Sequence, residues 1–307
     1  MEISVVIPCF NAANTLPRLL RSLSQQSIAP KQYEIFLVDD GSTDPSCEIA
    51  GQFDRVILLK QNRMGPGAAR NLGADQAKGR IILFLDSDLD VAPDLLEKHV
   101  QAYRDQPGLA AAGGSVRPLG EPALCSWQLV DHLSSWFNAH PSVNNTKPPE
   151  YLPSLNFSVD REKVWITHQL RWDPGLTHTG EDVLFCHALK QANLSLAFVP
   201  TAVVFHQDRT TLRGYMTHMY RWGFHAPFVR GKIRGLKYSF LFPKEPWKQI
   251  LFLPAIVGGY TLLVWRAWLS ERPLQATLGL PQLLLGRLAY AQGVMQGCLA
   301  RAREART

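Results

Sequence analysis

The sequence predicts an α/β fold in which a largely parallel sheet is covered by helices on both faces. Through the first ninety residues, short apolar runs with β character alternate with segments of helical periodicity. The runs are largely apolar on both faces, as in strands buried on both sides. Each run ends in polar or acidic residues. Because ligands of such sheets bind beyond the carboxyl ends of the strands, we expect the functional site there.

The elements follow from apolar runs and helical spacing taken in chain order. The first helix has Leu16, Leu19, Leu20 and Leu23 at positions i, i+3, i+4 and i+7. Strands are predicted at residues 3–7, 33–38, 55–59, 80–85, 110–117, 155–160 and 196–205. Further helices are predicted at residues 45–53 and 68–77, after Pro93, after Asp182, and from Thr210 or Thr211 through Trp222.

The segment I-I-L-F-L-D-S-D-L, residues 81–89, contains the most informative pair of side chains. In an extended chain, Asp86 and Asp88 point to the same face and can converge on one ligand. Two carboxylates at the end of a buried strand favour a hard cation such as Mg²⁺ or Mn²⁺. The alternative is a solvated turn whose aspartates cap the helix that opens near Pro93.

Charge is unevenly distributed along the 307 residues. From His206 to the end there are 15 Lys and Arg against four acidic residues, a net +11, which leaves −5 for residues 1–205. The basic half is interleaved with apolar runs, which favours a membrane surface over nucleic acid as its partner. The five cysteines are scattered, so neither a zinc site nor a disulfide framework is indicated. No signal peptide is recognisable, and we expect the cytoplasmic face of a membrane.

Two apolar stretches near the end of the chain predict membrane association. Residues 250–265 are uncharged, but sixteen residues span only about 24 Å of helix, short of a hydrocarbon core of about 30 Å. Residues 278–300 contain Arg287 near their middle, which is costly at the centre of a bilayer. Interfacial or re-entrant helices, true spans and a soluble helical subdomain remain alternatives. We predict a catalytic domain at residues 1–223 and a basic, apolar helical region at residues 224–307.

Six segments together resemble the inverting family 2 glycosyltransferases, which have a GT-A fold. They are V-V-I-P-C-F-N (5–11), V-D-D-G-S-T-D (38–44), G-P-G-A-A-R-N (65–71), F-L-D-S-D (84–88), L-N-F-S-V (155–159) and G-E-D (180–182). Each is weak alone, but they occur in the family's order. The resemblance covers roughly residues 1–223 and implies a Rossmann-like, mixed sheet with helices on both faces.

The resemblance implies a role in donor binding for several side chains. Phe10 corresponds to the residue that stacks on the nucleotide base, and Asp40 or its neighbour Asp39 to the carboxylate that accepts a hydrogen bond from the base. Arg70 lies where a cation meets phosphate or ribose. The alternatives are core packing for Phe10, turn stabilisation for Asp39 and Asp40, and a solvated helix face for Arg70.

The metal and the base of the reaction are implied in the same way. Asp86 resembles a residue near the ribose and the metal, Asp88 the direct metal ligand, and His206 a histidine that completes the metal shell in some GT-A enzymes. Asp182, with Glu181 as its alternate, corresponds to the base that deprotonates the acceptor. As an alternative, both acidic residues simply favour a helix N-terminus.

A further motif departs from the family pattern. H-M-Y-R-W, residues 218–222, is similar to the Q-x-x-R-W of processive members, but His218 replaces the glutamine. That replacement puts processive polymerisation in doubt. The segment could instead bind acceptor or diphosphate, or it could pack beneath the site.

The resemblance predicts an enzyme that uses Mn²⁺ or Mg²⁺ to transfer a sugar from a nucleotide-sugar, with UDP-sugar as the expected donor. The acceptor is expected to be lipid-linked or a surface glycan. A sugar nucleotidyltransferase and a non-catalytic, membrane-bound family member are the alternatives. The first strand is followed by P-C-F-N-A-A-N, without the glycine-rich loop of nucleotidyltransferases or of dinucleotide-binding dehydrogenases.

Overall fold

The computed structural model describes residues 1–143, 149–176, 179–233, 239–243 and 245–304. The chain forms two compact units, each assembled from two segments. The first comprises Met1–Leu119 and Ala139–Gln207, and the second Gly120–Asn138 and Asp208–Thr307. Residue 223, where we predicted the division, lies inside the helix Leu212–Lys232 of the second unit. The predicted division into catalytic and membrane-binding functions stays a prediction.

The first unit is built on one mixed, eight-stranded sheet, in the order β3-β2-β1-β4-β7-β6-β8-β5. β1 is parallel to β2 and β4, whereas β7 is antiparallel to both β4 and β6. The predicted α/β sheet is therefore confirmed. Its strands are β1 (Ile3–Cys9), β2 (Tyr33–Asp39), β3 (Val56–Lys60), β4 (Ile81–Leu85), β5 (Leu89–Val91), β6 (Ala111–Pro118), β7 (Asn156–Asp160) and β8 (Leu196–His206).

The helices follow the amphipathic periods of the sequence. In the first helix all four predicted leucines are buried. The α-helices are α1 (Leu16–Ser24), α2 (Ser46–Ala50), α3 (Pro66–Gln76), α4 (Leu95–Asp105), α5 (Trp127–Trp136), α6 (Glu181–Gln191), α7 (Leu212–Lys232), α8 (Gln249–Pro254), α9 (Tyr260–Trp268), α10 (Pro273–Leu278) and α11 (Leu280–Glu304). Helices α1 to α4 and α6 belong to the first unit, and the others to the second.

A buried polar cluster joins α4 to the sheet. The ring of His99, fully buried, is 2.9 Å from both Ser158 Oγ and Asn156 Oδ1. The Asn156 amide donates to the carbonyls of Ser115 and Ala202, where the pairing of β6 with β8 is irregular. Burial lowers the pKa of His99 to about 4. The cluster thus contains a neutral imidazole inside the core. It also donates hydrogen bonds to backbone carbonyls at the point where the strand pairing is irregular.

The short strand β5, which the sequence did not predict, brings together two candidate metal ligands. It follows Asp88 directly and pairs with the end of β8, with Leu89 opposite His206. The Gln207 N–H also donates to the Asp88 carbonyl. Residues 120 apart in the chain are therefore held side by side.

The second unit is helical, with α7 and α11 in close contact. A Cβ atom added at Gly223, Gly293 or Gly297 would overlap the backbone of the facing helix, so these positions require glycine. α8, a π-helical turn at Ala255–Gly259, and α9 follow without a break as one helix, Gln249–Trp268. Among the described residues, this is the one helix long and apolar enough to cross a membrane. Length and composition alone are weak evidence for a span.

Candidate active site

A pocket of about 530 Å³ lies in the first unit at the carboxyl ends of β1, β2 and β4. Six of the predicted site residues line it: Phe10, Asp40, Arg70, Asp86, Asp88 and Glu181. The remaining three adjoin lining residues, Asp39 and Asp182 as chain neighbours and His206 through Asp88. Parallel strands thus gather at one edge the side chains that the sequence scatters over almost 200 residues.

The ring of Phe10 forms one wall of the pocket and is 36% exposed, so core packing does not explain this residue. The guanidinium carbon of Arg63 lies 3.2 Å from the centre of that ring. We did not predict Arg63 from the sequence. The available signal was an arginine two residues before Gly65, at the turn that opens α3. Together, Phe10 and Arg63 present a flat hydrophobic face and a flat cation, both of which can stack on a nucleotide base.

Asp39 and Asp40 stabilise turns, as the alternative interpretation states. Asp40 is buried and accepts hydrogen bonds from the Gln61 side chain and from the N–H groups of Met64 and Gly65, at 2.7 to 2.9 Å. Asp39 accepts from the Ser42 N–H at 3.2 Å. The φ of Gly65 is 92°, which favours glycine at this turn. Asp40 therefore shapes the loop beside the pocket while also lining it.

Arg70 is the buried cation of the site. It is 2% exposed, and it donates to Asp86 Oδ1 at 2.7 Å and to Glu181 Oε1 at 2.9 Å. Its guanidinium lies 5.1 Å from the ring of Trp172. Burial opposes its charge, but Asp86 and Glu181 outweigh this effect and raise the pKa of Arg70. The alternative of a solvated helix face is wrong for Arg70.

Asp86, Asp88 and His206 do not gather into a single cluster of ligands. His206 Nε2 lies 3.5 Å from Asp88 Oδ2. Asp86 Oδ1 faces Arg70 instead, because the buried guanidinium attracts it. Within the described ranges, no group of three or more His, Cys, Asp or Glu side chains is arranged to hold a metal ion. Asp88 and His206 do place a carboxylate oxygen and an imidazole nitrogen side by side, and the carboxylate is a ligand that suits Mn²⁺ or Mg²⁺.

The charge of the pocket also fits a cation. Four carboxylates line it, those of Asp40, Asp86, Asp88 and Glu181, against the two arginines Arg63 and Arg70. A pyrophosphate would be repelled by such a surplus of negative charge unless a divalent cation lay between them. The residues present therefore fit the metal that the resemblance implies.

Glu181 and Asp182 begin α6 and have different environments. Gly180, with φ 91°, turns the chain into the helix in a conformation that favours glycine. Glu181 is buried in its ion pair with Arg70. Asp182 is partly buried, and its Oδ1 accepts from the Val183 N–H at 2.8 Å. Burial, and then the charge of Glu181, raise the pKa of Asp182 to about 7. Acidic side chains are also favoured in the first turn of a helix, so the N-terminus alternative for Asp182 stays open beside its role as the base.

The sequence agrees with a known family over a part of the chain that includes the site residues from Phe10 to Asp88. The model of "Glycosyl transferase family 2" matches residues 4–158, about half of the chain. The chain belongs to glycosyl transferase family 2. An uncharacterised glycosyltransferase from Haemophilus influenzae is 41% identical over 255 residues, which cover 78% of this chain and 93% of that protein.

Other relatives match over shorter stretches. The glycosyltransferase AglE from Haloferax volcanii is 35% identical over 119 residues, which cover 37% of this chain and 39% of that protein. A poly(ribitol-phosphate) β-glucosyltransferase from Bacillus spizizenii is 43% identical over 94 residues, which cover 29% of this chain and 15% of that protein. The family is thus shown by the model match and by the Haemophilus influenzae relative, whereas the aligned stretches cover well under half the length of these two other proteins.

Solved structures confirm the predicted fold. Residues 1–349 of TarS from Staphylococcus aureus, in complex with UDP, superpose with a TM-score of 0.55 and 18% identity, over 100% of this chain and 91% of that one. The mannosyltransferase PcManGT from Pyrobaculum calidifontis, in complex with GDP-Man and Mn²⁺, gives a TM-score of 0.60 and 17% identity, over 95% and 86%. The sheet and its helices are therefore those of GT-A glycosyltransferases.

Proposed function

We propose that this protein is a metal-dependent, inverting glycosyltransferase that moves a sugar from a nucleotide-sugar to an acceptor hydroxyl. One arrangement carries the proposal: Arg70 ties Asp86 at the end of β4 to Glu181 at the start of α6. This ion-pair network would hold the proposed metal-binding edge near the proposed base Asp182, whose chain neighbour Glu181 lines the pocket. Family membership supports the class of reaction, and the inverting outcome and the metal are proposals.

The donor would lie with its base against the stacked pair of Phe10 and Arg63 and its pyrophosphate toward Asp88. TarS was solved with UDP and PcManGT with GDP-Man and Mn²⁺, and a UDP-sugar remains our expectation for this chain. Asp88 and His206 would hold Mn²⁺ or Mg²⁺. When bound, the metal ion neutralises the charge of the departing diphosphate.

Asp182 would act as the general base. Its carboxylate accepts the proton of the acceptor hydroxyl as that oxygen bonds to the anomeric carbon, and the bond from that carbon to the diphosphate oxygen breaks on the opposite face. A pKa of about 7 makes the carboxylate basic enough to accept the proton while about half of it is ionised at neutral pH. Arg70 keeps Glu181 and Asp86 in place, so that the start of α6 and the end of β4 do not separate.

The acceptor would be lipid-linked or a growing surface glycan, and the enzyme would work at the cytoplasmic face of a membrane. The strongly basic, apolar second half of the chain supports a membrane setting. A screen of lipid-linked and glycan acceptors tests this assignment.

A thermal-shift panel of nucleotide-sugars with and without Mn²⁺ tests the proposal. One donor should stabilise the protein only when metal is present, by ligand linkage. Asp88→Ala should abolish this shift, whereas Asp54→Ala, an exposed aspartate of the same unit, should retain it. Asp182→Asn should keep the shift and lose transfer.

Two results would overturn the proposal. Donor stabilisation without any transfer to lipid-linked or glycan acceptors by the wild type would favour a non-catalytic member. Formation of a nucleotide-sugar from a nucleoside triphosphate and a sugar phosphate would favour a nucleotidyltransferase.

A further inference from the structure

The helix Gln249–Trp268 has two faces of different character. Its buried positions are Gln249, Ile256, Thr261, Val264 and Trp268, which are spread from the first residue to the last. The opposite side exposes an apolar stripe, which we define as Ile250, Leu251, Pro254, Ala255, Gly258, Gly259 and Leu262. Leu251 is 72% exposed, and Ile250 and Leu262 are 59% and 58% exposed. Large apolar side chains in such a row are unusual on a protein surface that meets only water.

We propose that this helix lies in the plane of an anionic membrane, with the apolar stripe inserted among the lipids, and that it does not cross the bilayer. The proposal rests on the membrane setting given under the proposed function and makes it specific. It names the inserted residues and chooses between an in-plane helix and a span.

Packing along the whole length of the helix argues against a span. At its start, the Gln249 side chain donates to the Leu241 carbonyl and is 3.4 Å from Cys298 Sγ. At its end, the Trp268 indole donates to the Leu133 carbonyl at 2.9 Å. Helix α11 therefore accompanies it from end to end and α5 contacts its last part, so a span would take α11 into the bilayer as well.

Those accompanying helices contain buried charged and polar groups. Arg287 of α11 is fully buried, donates to the Ser134 carbonyl and lies 4.1 Å from the ring of Tyr260. Asp131 of α5 is fully buried 2.7 Å from His218 Nδ1. Such groups are expensive at the depth of the hydrocarbon and rare in membrane-spanning helices, whereas paired charges are tolerated in the interior of a water-soluble unit. A helix that exposes one apolar face on such a unit can lie in the interface.

The positive charge of this part of the chain favours an anionic lipid surface as the binding partner of the apolar stripe. From Asp208 onward the chain has 15 Lys and Arg against four acidic residues. Trp247 and Lys248 precede the apolar stripe, and the exposed Arg266 follows it one helical turn after Leu262. Tryptophan and basic side chains are favoured at the headgroup level. Of the other basic residues nearby in sequence, Arg234, Lys237 and Lys244 lie outside the described residues.

Flotation of the full-length protein with vesicles tests the proposal. We expect binding to vesicles of phosphatidylcholine mixed with phosphatidylglycerol, weaker binding to pure phosphatidylcholine, and release by alkaline carbonate. The double variant Ile250→Ser with Leu251→Ser should reduce vesicle binding by about tenfold or more, because both side chains are exposed and contribute to insertion. Ile166→Ser, at an isoleucine of the first unit that is 43% exposed, is the matched control and should bind as the wild type does.

Each alternative gives a different result. Retention after alkaline carbonate would overturn the proposal in favour of a span. Undiminished vesicle binding by a double variant with an unchanged circular dichroism spectrum would show that the apolar stripe is not the docking surface. If the wild type is dimeric without lipid and the double variant is monomeric, the apolar stripe binds a second copy of the chain, which would overturn the proposal. Metal-dependent thermal stabilisation by donor, measured on the same variants, reports separately on the proposed function.

Discussion

Replacement of Asp182 by asparagine should stabilise the folded protein at neutral and higher pH. The asparagine keeps the size of the side chain and a hydrogen-bond acceptor for the Val183 N–H, but it has no charge. In the wild type, burial and Glu181 penalise the ionised carboxylate. The variant therefore removes a cost that the active site imposes on the fold.

The magnitude follows from the pKa of Asp182. A rise from 3.8 to about 7 corresponds to about 4 kcal/mol, at about 1.4 kcal/mol for each pKa unit. Because the folded state holds its proton more tightly than the unfolded state, the wild type loses stability as the pH rises from about 4 to about 7. The difference between variant and wild type should thus be near zero at pH 4 and up to about 4 kcal/mol at pH 8.

Urea unfolding followed by tryptophan fluorescence at several pH values measures this difference. Asp54→Asn, at an exposed aspartate of the same unit, is the control and should follow the wild type throughout. A variant as stable as the wild type at pH 8 would refute the reasoning, since Asp182 would then be ionised without cost. In the wild type, kcat/KM for transfer should rise as the pH passes through about 7, when the base loses its proton.

Three further predictions concern other parts of the first unit. Because the pKa of His99 is lowered to about 4, the free energy of unfolding should fall by about 3 kcal/mol as the pH falls from about 6.5 to 4. In urea unfolding, His99→Gln should show a flatter dependence of this free energy on pH than the wild type. Asn156→Leu should lower the free energy of unfolding by about 2–4 kcal/mol, because the Ser115 and Ala202 carbonyls lose their hydrogen-bond donor. A decrease in this free energy no larger than that caused by a substitution at an exposed position would contradict the prediction. Arg63→Ala should weaken nucleotide binding about fivefold by calorimetry through loss of stacking, with no change for the exposed Arg21→Ala.

The sequence was sufficient for the strands whose side chains are buried on both faces. β4 is a continuous apolar run and β1 is apolar apart from Ser4, and every residue in both strands is buried, so pattern and structure agree. Three-residue β5 could not be recognised, because its pairing with β8 depends on residues more than 110 positions away. The second unit was divided differently because no local pattern shows that residues 120–138 pack with the end of the chain.

For the site, the sequence predicted which residues meet but not what they do to one another. The strand ends placed Asp40, Asp86 and Asp88 at one pocket, as expected from a parallel sheet. The sequence could not show that Arg70 pairs with both Asp86 and Glu181. This pairing depends on the positions of the side chains in three dimensions. The position of Arg63 over Phe10 was likewise outside the reach of spacing arguments.

The discontinuous second unit limits how the gene can be divided for expression. A fragment of residues 1–223 would retain α5, whose Leu129, Val130 and Leu133 are buried in a cluster with side chains contributed by α9 to α11. Without those helices, the apolar face of α5 would meet water, and the fragment should aggregate or require detergent. A soluble catalytic fragment would need residues 120–138 replaced by a short linker as well as an end near residue 207.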